Sequence, residues 1–228
     1  MTSSARLIAL YTGQPEHRWD DKPPSAIHKS AHDGPVDLGP TGLAGDAQAD
    51  LSVHGGTEKA LHHYPSEHYE HWRQTFDQDA APYRPGGFGE NISTKGFTEE
   101  TLCIGDVLTL GTARLQISQG RQPCWKLNMH TGNPALAAHF QKTGKTGWYY
   151  RVLEPGRIEP GQVLTVIDRP CPDWSLQDVI LARFNPRLDP EIAAALADLA
   201  ELAAPWRDAF AKKSVPGARE DTSKRLNG

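Results

Sequence analysis

Apolar and polar positions run through this chain in two patterns, one strand-like and one helical, and the change falls near Asp168. Arg6 to Tyr11 (RLIALY) alternates loosely and predicts an opening strand. Val107 to Leu110 and Ala113 to Ser118 predict two strands around Gly111, a hairpin. Trp148 to Leu153 and Gln162 to Ile167 predict two closing strands, joined by the turn EPGRIEPG. Helical spacing interrupts the strands twice. Pro65 to Phe76 (PSEHYEHWRQTF) predicts one helix, and Asn133 followed by Pro134 predicts an N-cap and first turn for Pro134 to Lys142.

After RPCPDW the pattern is helical throughout. Ser175 caps a helix over Leu176 to Phe184. Asp189 and Pro190 start a second, with Ile192, Leu196, Leu199 and Leu202 expected on one face. Pro205 opens a third over Trp206 to Lys212. From Val215 the chain is polar and predicts a frayed tail.

Composition sharpens this plan. The 228 residues hold 21 glycines and 18 prolines, many between residues 12 and 57 and between 82 and 96. That favours a loop-rich β body with ordered loops and short strands over a helical bundle. The net charge of −4 and the lack of a dominant basic patch argue against duplex nucleic acid as a partner. No apolar run approaches the length of a membrane span, and MTSSARLIALYTG is too short in apolar residues for a signal peptide. Cys103, Cys124 and Cys171 are an odd, widely spaced set, which fits a reducing cytoplasm and excludes an on-board four-cysteine iron–sulfur cluster.

The chemistry concentrates in QGRQPCWKLN, Gln119 to Asn128. A turn opening a helix at Pro123 would aim free backbone N–H groups and Arg121 at the Cys124 sulfur and favour thiolate. The alternative is an inert, packed cysteine, as expected for Cys103. HGGTEKAL, His54 to Leu61, lets the backbone approach a ligand at Gly55 and Gly56 and leaves Lys59 to hold an anion; an ordinary tight turn is the plainer reading. GGFGENI, Gly86 to Ile92, offers backbone amides and Asn91 to a polar heterocycle before a short strand, or Glu90 and Asn91 merely cap the turn. His62, His63, His68 and His71 cluster. A zinc pair at His68 and His71 lacks a third ligand, and a solvated helix face explains them more simply. Met129 and His130 are expected to pack or line a cleft.

HGGTEKAL, FGENI and above all GRQPCWKLN, in this order, resemble the MOSC domain family. HHYPSEHYEHW and the three-helix tail resemble its hydroxylaminopurine-resistance branch. The resemblance spans about Arg6 to Lys212. It implies a mainly β fold with helices: a MOSC-type β-barrel over residues 1–168, a three-helix segment over 169–214 and a flexible tail over 215–228. It implies that the molybdenum cofactor, a molybdopterin, binds in the barrel with Cys124 as the molybdenum ligand. Lys59 and Arg121 would take its phosphate, and His54, Gly55, Gly56, Gly89 and Asn91 would wall it in. Pyridoxal phosphate is not expected.

The activity so implied is reduction of small N-hydroxylated compounds such as hydroxylaminopurine-type bases. The chain lacks a G-x-G-x-x-G dinucleotide loop, so electrons would come from a separate reductase, a flavoprotein. A homodimer is compatible with all of this. A second reading is a cofactor carrier or sulfur-transfer module. A third is a cysteine hydrolase pairing Cys124 with His130 or His54, though no Cys–His–Asn arrangement is legible.

Overall fold

The computed structural model describes residues 3–51, 54–76, 82–215 and 225–226. Its frame is a seven-stranded β-barrel. The strands are β1 (Ser4–Thr12), β5 (Leu61–Pro65), β6 (Ile92–Lys95), β7 (Val107–Leu110), β8 (Ala113–Gly120), β9 (Trp148–Glu154) and β11 (Val163–Asp168). They pair in the order β11-β7-β8-β9-β5-β6-β1, and β1 returns to β11 through Ser4↔Thr165 and Arg6↔Val163. Closure satisfies both edges, so neither is left to pair with another chain. A short β2 (Ser30–His32) extends β1. A small second sheet joins β10 (Gly156–Ile158), β3 (Val36–Gly39) and β4 (Gly42–Leu43). The glycine-rich meander is thus ordered, as its punctuation predicts, and the EPGRIEPG turn contains β10.

Inward alternation builds the core. Ala5, Leu7, Leu108, Leu115, Ile117 and Leu164 are all buried in one cluster. Alternation fails at the end of β8, where Ser118, Gln119 and Gly120 are buried in succession. The reason is that helices cover the outer face. α4 (Leu176–Phe184), α5 (Pro190–Ala197) and α6 (Ala204–Lys213) contribute Ile180, Leu196, Trp206 and Phe210 to the same core as the barrel. Ser175 caps α4 by accepting from the Asp178 N–H, and Asp189 caps α5 by accepting from the Glu191 N–H. The Ala203 N–H donates to the Ser118 carbonyl at 2.9 Å, tying the helices to β8.

A second, aromatic core lies under α1 (Glu67–Phe76), α2 (Trp125–Thr131) and α3 (Leu136–Thr143). Tyr64, Tyr69, Trp72, Phe88 and Phe140 pack there, with ring centroids 4.7–5.6 Å apart for their closest pairs. Leu127 of α2 belongs to this cluster and anchors the helix that follows Cys124.

Several boundaries differ from the sequence expectation. Leu61–Pro65 is a strand, and Pro65 ends it rather than opening α1. α2 begins at Trp125, not Pro123, with Cys124 as its N-cap residue. α3 begins at Leu136; Asn133 instead accepts the Ala135 N–H and organises the turn before the helix. α5 stops at Ala197, and Ala193 and Leu196 form its inner face while Ile192 is 43% exposed. Leu199 and Leu202 pack from the turn beyond the helix. The expected frayed tail falls largely outside the described residues. Within them, Arg225 Nη2 donates to Gln141 Oε1 at 2.8 Å and Nη1 donates to the Pro123 carbonyl.

Candidate functional site

One end of the barrel opens into a cleft that holds about 630 Å³ of space, part of it open solvent. His54, Lys59, Gly89, Asn91, Arg121 and Cys124 all line it, so six predicted residues from three separate motifs meet. Gly55 and Gly56 do not line it. A Cβ at Gly55 would come 2.9 Å from Leu51 Cδ2, so glycine lets that loop close on itself. Gly56 has a φ of 93°, which lets the chain enter the tight turn at Thr57–Lys59.

That turn is held from outside. Glu58 pairs with Arg151 of β9 at 2.5 Å, and Ser118 Oγ donates to the Glu58 carbonyl at 2.6 Å. Lys59 is thereby presented to the cleft, where burial lowers its pKa. Arg121 leaves β8 just past Gly120. Its N–H donates to the Gly147 carbonyl at 2.9 Å, and its side chain is buried. Arg121 Nη1 has no hydrogen-bond partner among the described residues. A buried unpaired donor typically costs about 1–3 kcal/mol, more on a charged group, so an acceptor is owed here.

Cys124 sits between. Its backbone is extended, at φ −136° and ψ 170°, and its side chain makes no capping hydrogen bond. It is half-buried, whereas Cys103 and Cys171 are buried. Burial pushes the Cys171 thiol up to about 12, and Cys103 is also raised. Those two are structural: Cys103 Sγ lies 3.6 Å from the Pro172 carbonyl and Cys171 Sγ lies 3.4 Å from Glu201.

The FGEN loop forms the opposite wall. Buried Glu90 accepts from the Gly86 and Phe88 N–H groups and from the Tyr69 hydroxyl. Asn91 is fully engaged within the protein. Its Oδ1 accepts the His62 N–H at 3.0 Å, and its Nδ2 donates to the Tyr11 carbonyl at 3.2 Å and to Asp46 at 2.8 Å. Asn91 therefore positions the wall rather than offering an amide to a ligand. Gly89, at φ 78°, lets the loop pass Ile27, which a Cβ would approach to 3.0 Å.

Sequence reasoning missed Lys29, Asp46, His62, Lys126 and Tyr149, which also line the cleft. Lys29 forms a buried ion pair with Asp46, and burial still lowers its pKa. Lys126 donates to the Pro24 carbonyl at 3.1 Å. Burial holds Tyr149 as a phenol. His54 is held neutral, down to about 4, by burial and by Lys126, Lys59 and Arg121. Lys126 lies within the Cys124 motif itself, whereas no local pattern marks the other four missed residues, which only barrel closure collects.

The histidines correct the expectation of a solvated face. His62, His63 and His68 are buried and His71 is half-buried. His68 Nε2 meets Glu99 at 2.6 Å, and His63 is held between Tyr150 and Thr94. His130 lines an adjoining cleft with Tyr11 and Arg84 rather than the Cys124 cleft, and Met129 is exposed.

A cleft with a thiol, a set of ammonium and guanidinium groups and one internally paired carboxylate suits an anionic ligand bearing a thiophilic centre. Comparisons with known proteins place the chain in a family. Residues 50–165 match the MOSC domain, and residues 174–213 match the YiiM-like 3-alpha helix domain. Protein YiiM of Escherichia coli is 38% identical over 221 residues, covering 97% of this chain and 98% of that one. The crystal structure of YiiM from Escherichia coli superposes with a TM-score of 0.82 at 32% identity, covering 98% of this chain and 99% of that one. A protein of Gibberella moniliformis named reductase is 42% identical over 163 residues, which is 70% of this chain and 29% of that one. The chain belongs to the MOSC domain family and carries the YiiM-like three-helix domain behind its barrel.

Proposed function

We propose that this protein is a molybdenum-cofactor-dependent reductase of N-hydroxylated compounds, hydroxylaminopurine-type bases among them. The observation that carries the reading is the convergence on one cleft of the half-buried Cys124 thiol, Lys59 and Arg121, whose Nη1 has no partner among the described residues. Arg121 Nη1 is owed an acceptor, and a pterin phosphate supplies one. Cys124 is half-buried and lines the cleft, where its sulfur can meet a soft metal. When bound, the cofactor supplies the two-electron chemistry that cleaves an N–O bond.

The reaction consumes R–NH–OH, two electrons and two protons and yields R–NH₂ and water. The chain's own residues hold and orient. Cys124 fixes the metal through sulfur, Lys59 and Arg121 bind the phosphate, and Asn91 and Glu90 hold the FGEN wall against the ligand. Tyr149 keeps its proton through burial and can donate a hydrogen bond inside the cleft. Electrons come from a separate reductase, a flavoprotein, in a cytoplasmic setting. The kinship with a fungal protein named reductase, most of whose length lies outside the match, supports an arrangement in which this module receives electrons from elsewhere.

The test is reductive turnover. Protein made in a host that builds the cofactor is supplied with N6-hydroxyadenine and dithionite-reduced methyl viologen, and adenine is measured. Turnover that disappears in Cys124→Ser, with the far-ultraviolet circular dichroism unchanged, supports the enzyme. Bound cofactor without turnover supports a carrier or sulfur-transfer module instead.

A further inference from the structure

A second buried side chain that lines the cleft, His62, also has an atom without a partner among the described residues. His62 is 4% exposed, and its Nε2 has no hydrogen-bond partner among the described residues. The other ring nitrogen decides what Nε2 is. His62 Nδ1 lies 3.2 Å from the Gly89 carbonyl, and a carbonyl only accepts, so Nδ1 carries the hydrogen. Burial disfavours a second proton on the ring, and the charges of Arg121 and Lys29 add to this. Nε2 is therefore a bare acceptor. The ring rests 4.9 Å from the Tyr149 ring.

We propose that His62 reads a hydrogen-bond donor on the ligand of this cleft, Nε2 accepting from a ring N–H while Arg121 Nη1 donates to an acceptor on the same molecule. The ligand class follows. A bare oxyanion such as sulfate carries no hydrogen and can satisfy Arg121 alone. A planar heterocycle with a cyclic amide, N–H beside C=O, and an anionic arm satisfies both. This rests on the cleft's being a pterin site, but not on the reductase activity. His62 is a positioning residue, holding the heterocycle in register with Cys124.

The test uses cofactor-free protein, two probes and three substitutions at His62, to Asn, Gln and Ala. The probes are pterin-6-carboxylic acid and sulfate, titrated calorimetrically. His62→Asn keeps an N–H where Nδ1 stands, and so the bond to Gly89, but removes the Nε2 acceptor. His62→Gln places an amide near Nε2 and gives up the Gly89 bond. The expected result is pterin affinity about tenfold or more weaker in His62→Asn, with sulfate affinity and melting temperature unchanged and part of the pterin affinity kept in His62→Gln. Should His62→Asn lower the melting temperature, His62→Gln decides: it must bind pterin more tightly than His62→Ala. Equal pterin affinity in wild type and His62→Asn overturns the proposal, as does parallel loss of both probes or no pterin binding by wild type. Pterin binding that depends on His62, in a protein that reduces nothing, would sink the reductase reading and leave this one standing.

Discussion

Ile180 of α4 occupies the space that any side chain at Gly120 would need: a Cβ on Gly120 would come 2.3 Å from Ile180 Cγ1 and 2.9 Å from the Trp206 ring. Gly120 is the last residue of β8, and Arg121 follows it directly. The helical segment thus packs onto the strand end that launches the site. Gly120→Ala should cost about 1–3 kcal/mol through overpacking. At about 2–4 °C per kcal/mol for a chain of this size, calorimetry should see a clear drop in melting temperature. An unchanged melting temperature would mean that α4 and α6 do not sit firmly on β8.

The same contact bears on the helical segment as a whole. Leu176, Val179, Ile180, Leu196, Trp206 and Phe210 are all at most 1% exposed and share the barrel's core. Each such side chain contributes about 1.5–3 kcal/mol, and together they rival the whole stability of a typical domain. A chain ending at Asp168 should therefore aggregate or lack a cooperative thermal transition. A soluble, cooperatively melting truncate would show that the barrel is an independent unit.

Two kinds of cleft residue should separate experimentally. Lys59→Ala and Arg121→Ala should lower retention of an anionic ligand roughly tenfold or more each, since charge-assisted contacts are worth about 1.5–3 kcal/mol. Asn91→Ala should act first on stability, because it strips partners from the His62 N–H, the Tyr11 carbonyl and Asp46. Ligand titration and thermal melts on the three variants give the comparison. Equal stability loss in all three would erase the distinction.

Stability should also fall with acid in a defined window. His54 and His130 are held neutral down to about 4, against about 6.5 in an unfolded chain. Between those values the unfolded state binds more protons, so stability rises with pH there and is lost as pH falls from about 6.5 toward about 4. The slope is at most about 1.4 kcal/mol per pH unit for each histidine. The stability difference between wild type and the His54→Gln, His130→Gln double variant, read from urea melts, should be constant above about pH 6.5 and should shift against wild type as pH falls toward about 4. Parallel profiles would contradict the neutral assignment.

How far the sequence could be read depended on whether chemistry and backbone punctuation fell together. Cys124 follows Pro123, Arg121 follows Gly120, and Lys59 comes three residues after Gly56, so their convergence could be expected. The caps Ser175 and Asp189 were legible for the same reason, each meeting its own helix N–H. β5 was not legible, because LHHYP is buried on both faces and shows no alternation. Its polar side chains are satisfied across the barrel, His63 by Tyr150 at 2.9 Å and Thr94 at 2.7 Å, which no local spacing reveals. Lys29, Asp46, His62 and Tyr149 entered the cleft from different strands and loops for the same topological reason. The outer face of α5 was misjudged because Leu199 and Leu202 pack from a turn, out of helical register with Leu196.

Cys124 is proposed to fasten a molybdenum centre in this cleft. The most direct measurement is the molybdenum content of wild type and Cys124→Ser, both made in a host that builds the cofactor, by elemental analysis alongside fluorescence of the oxidised pterin. The account predicts molybdenum and pterin together, approaching one of each per chain in wild type. In Cys124→Ser molybdenum should be lost or strongly depleted while the protein stays folded, and Cys103→Ala and Cys171→Ala should retain the metal. Wild type without molybdenum under those conditions, or full molybdenum in Cys124→Ser, would contradict it.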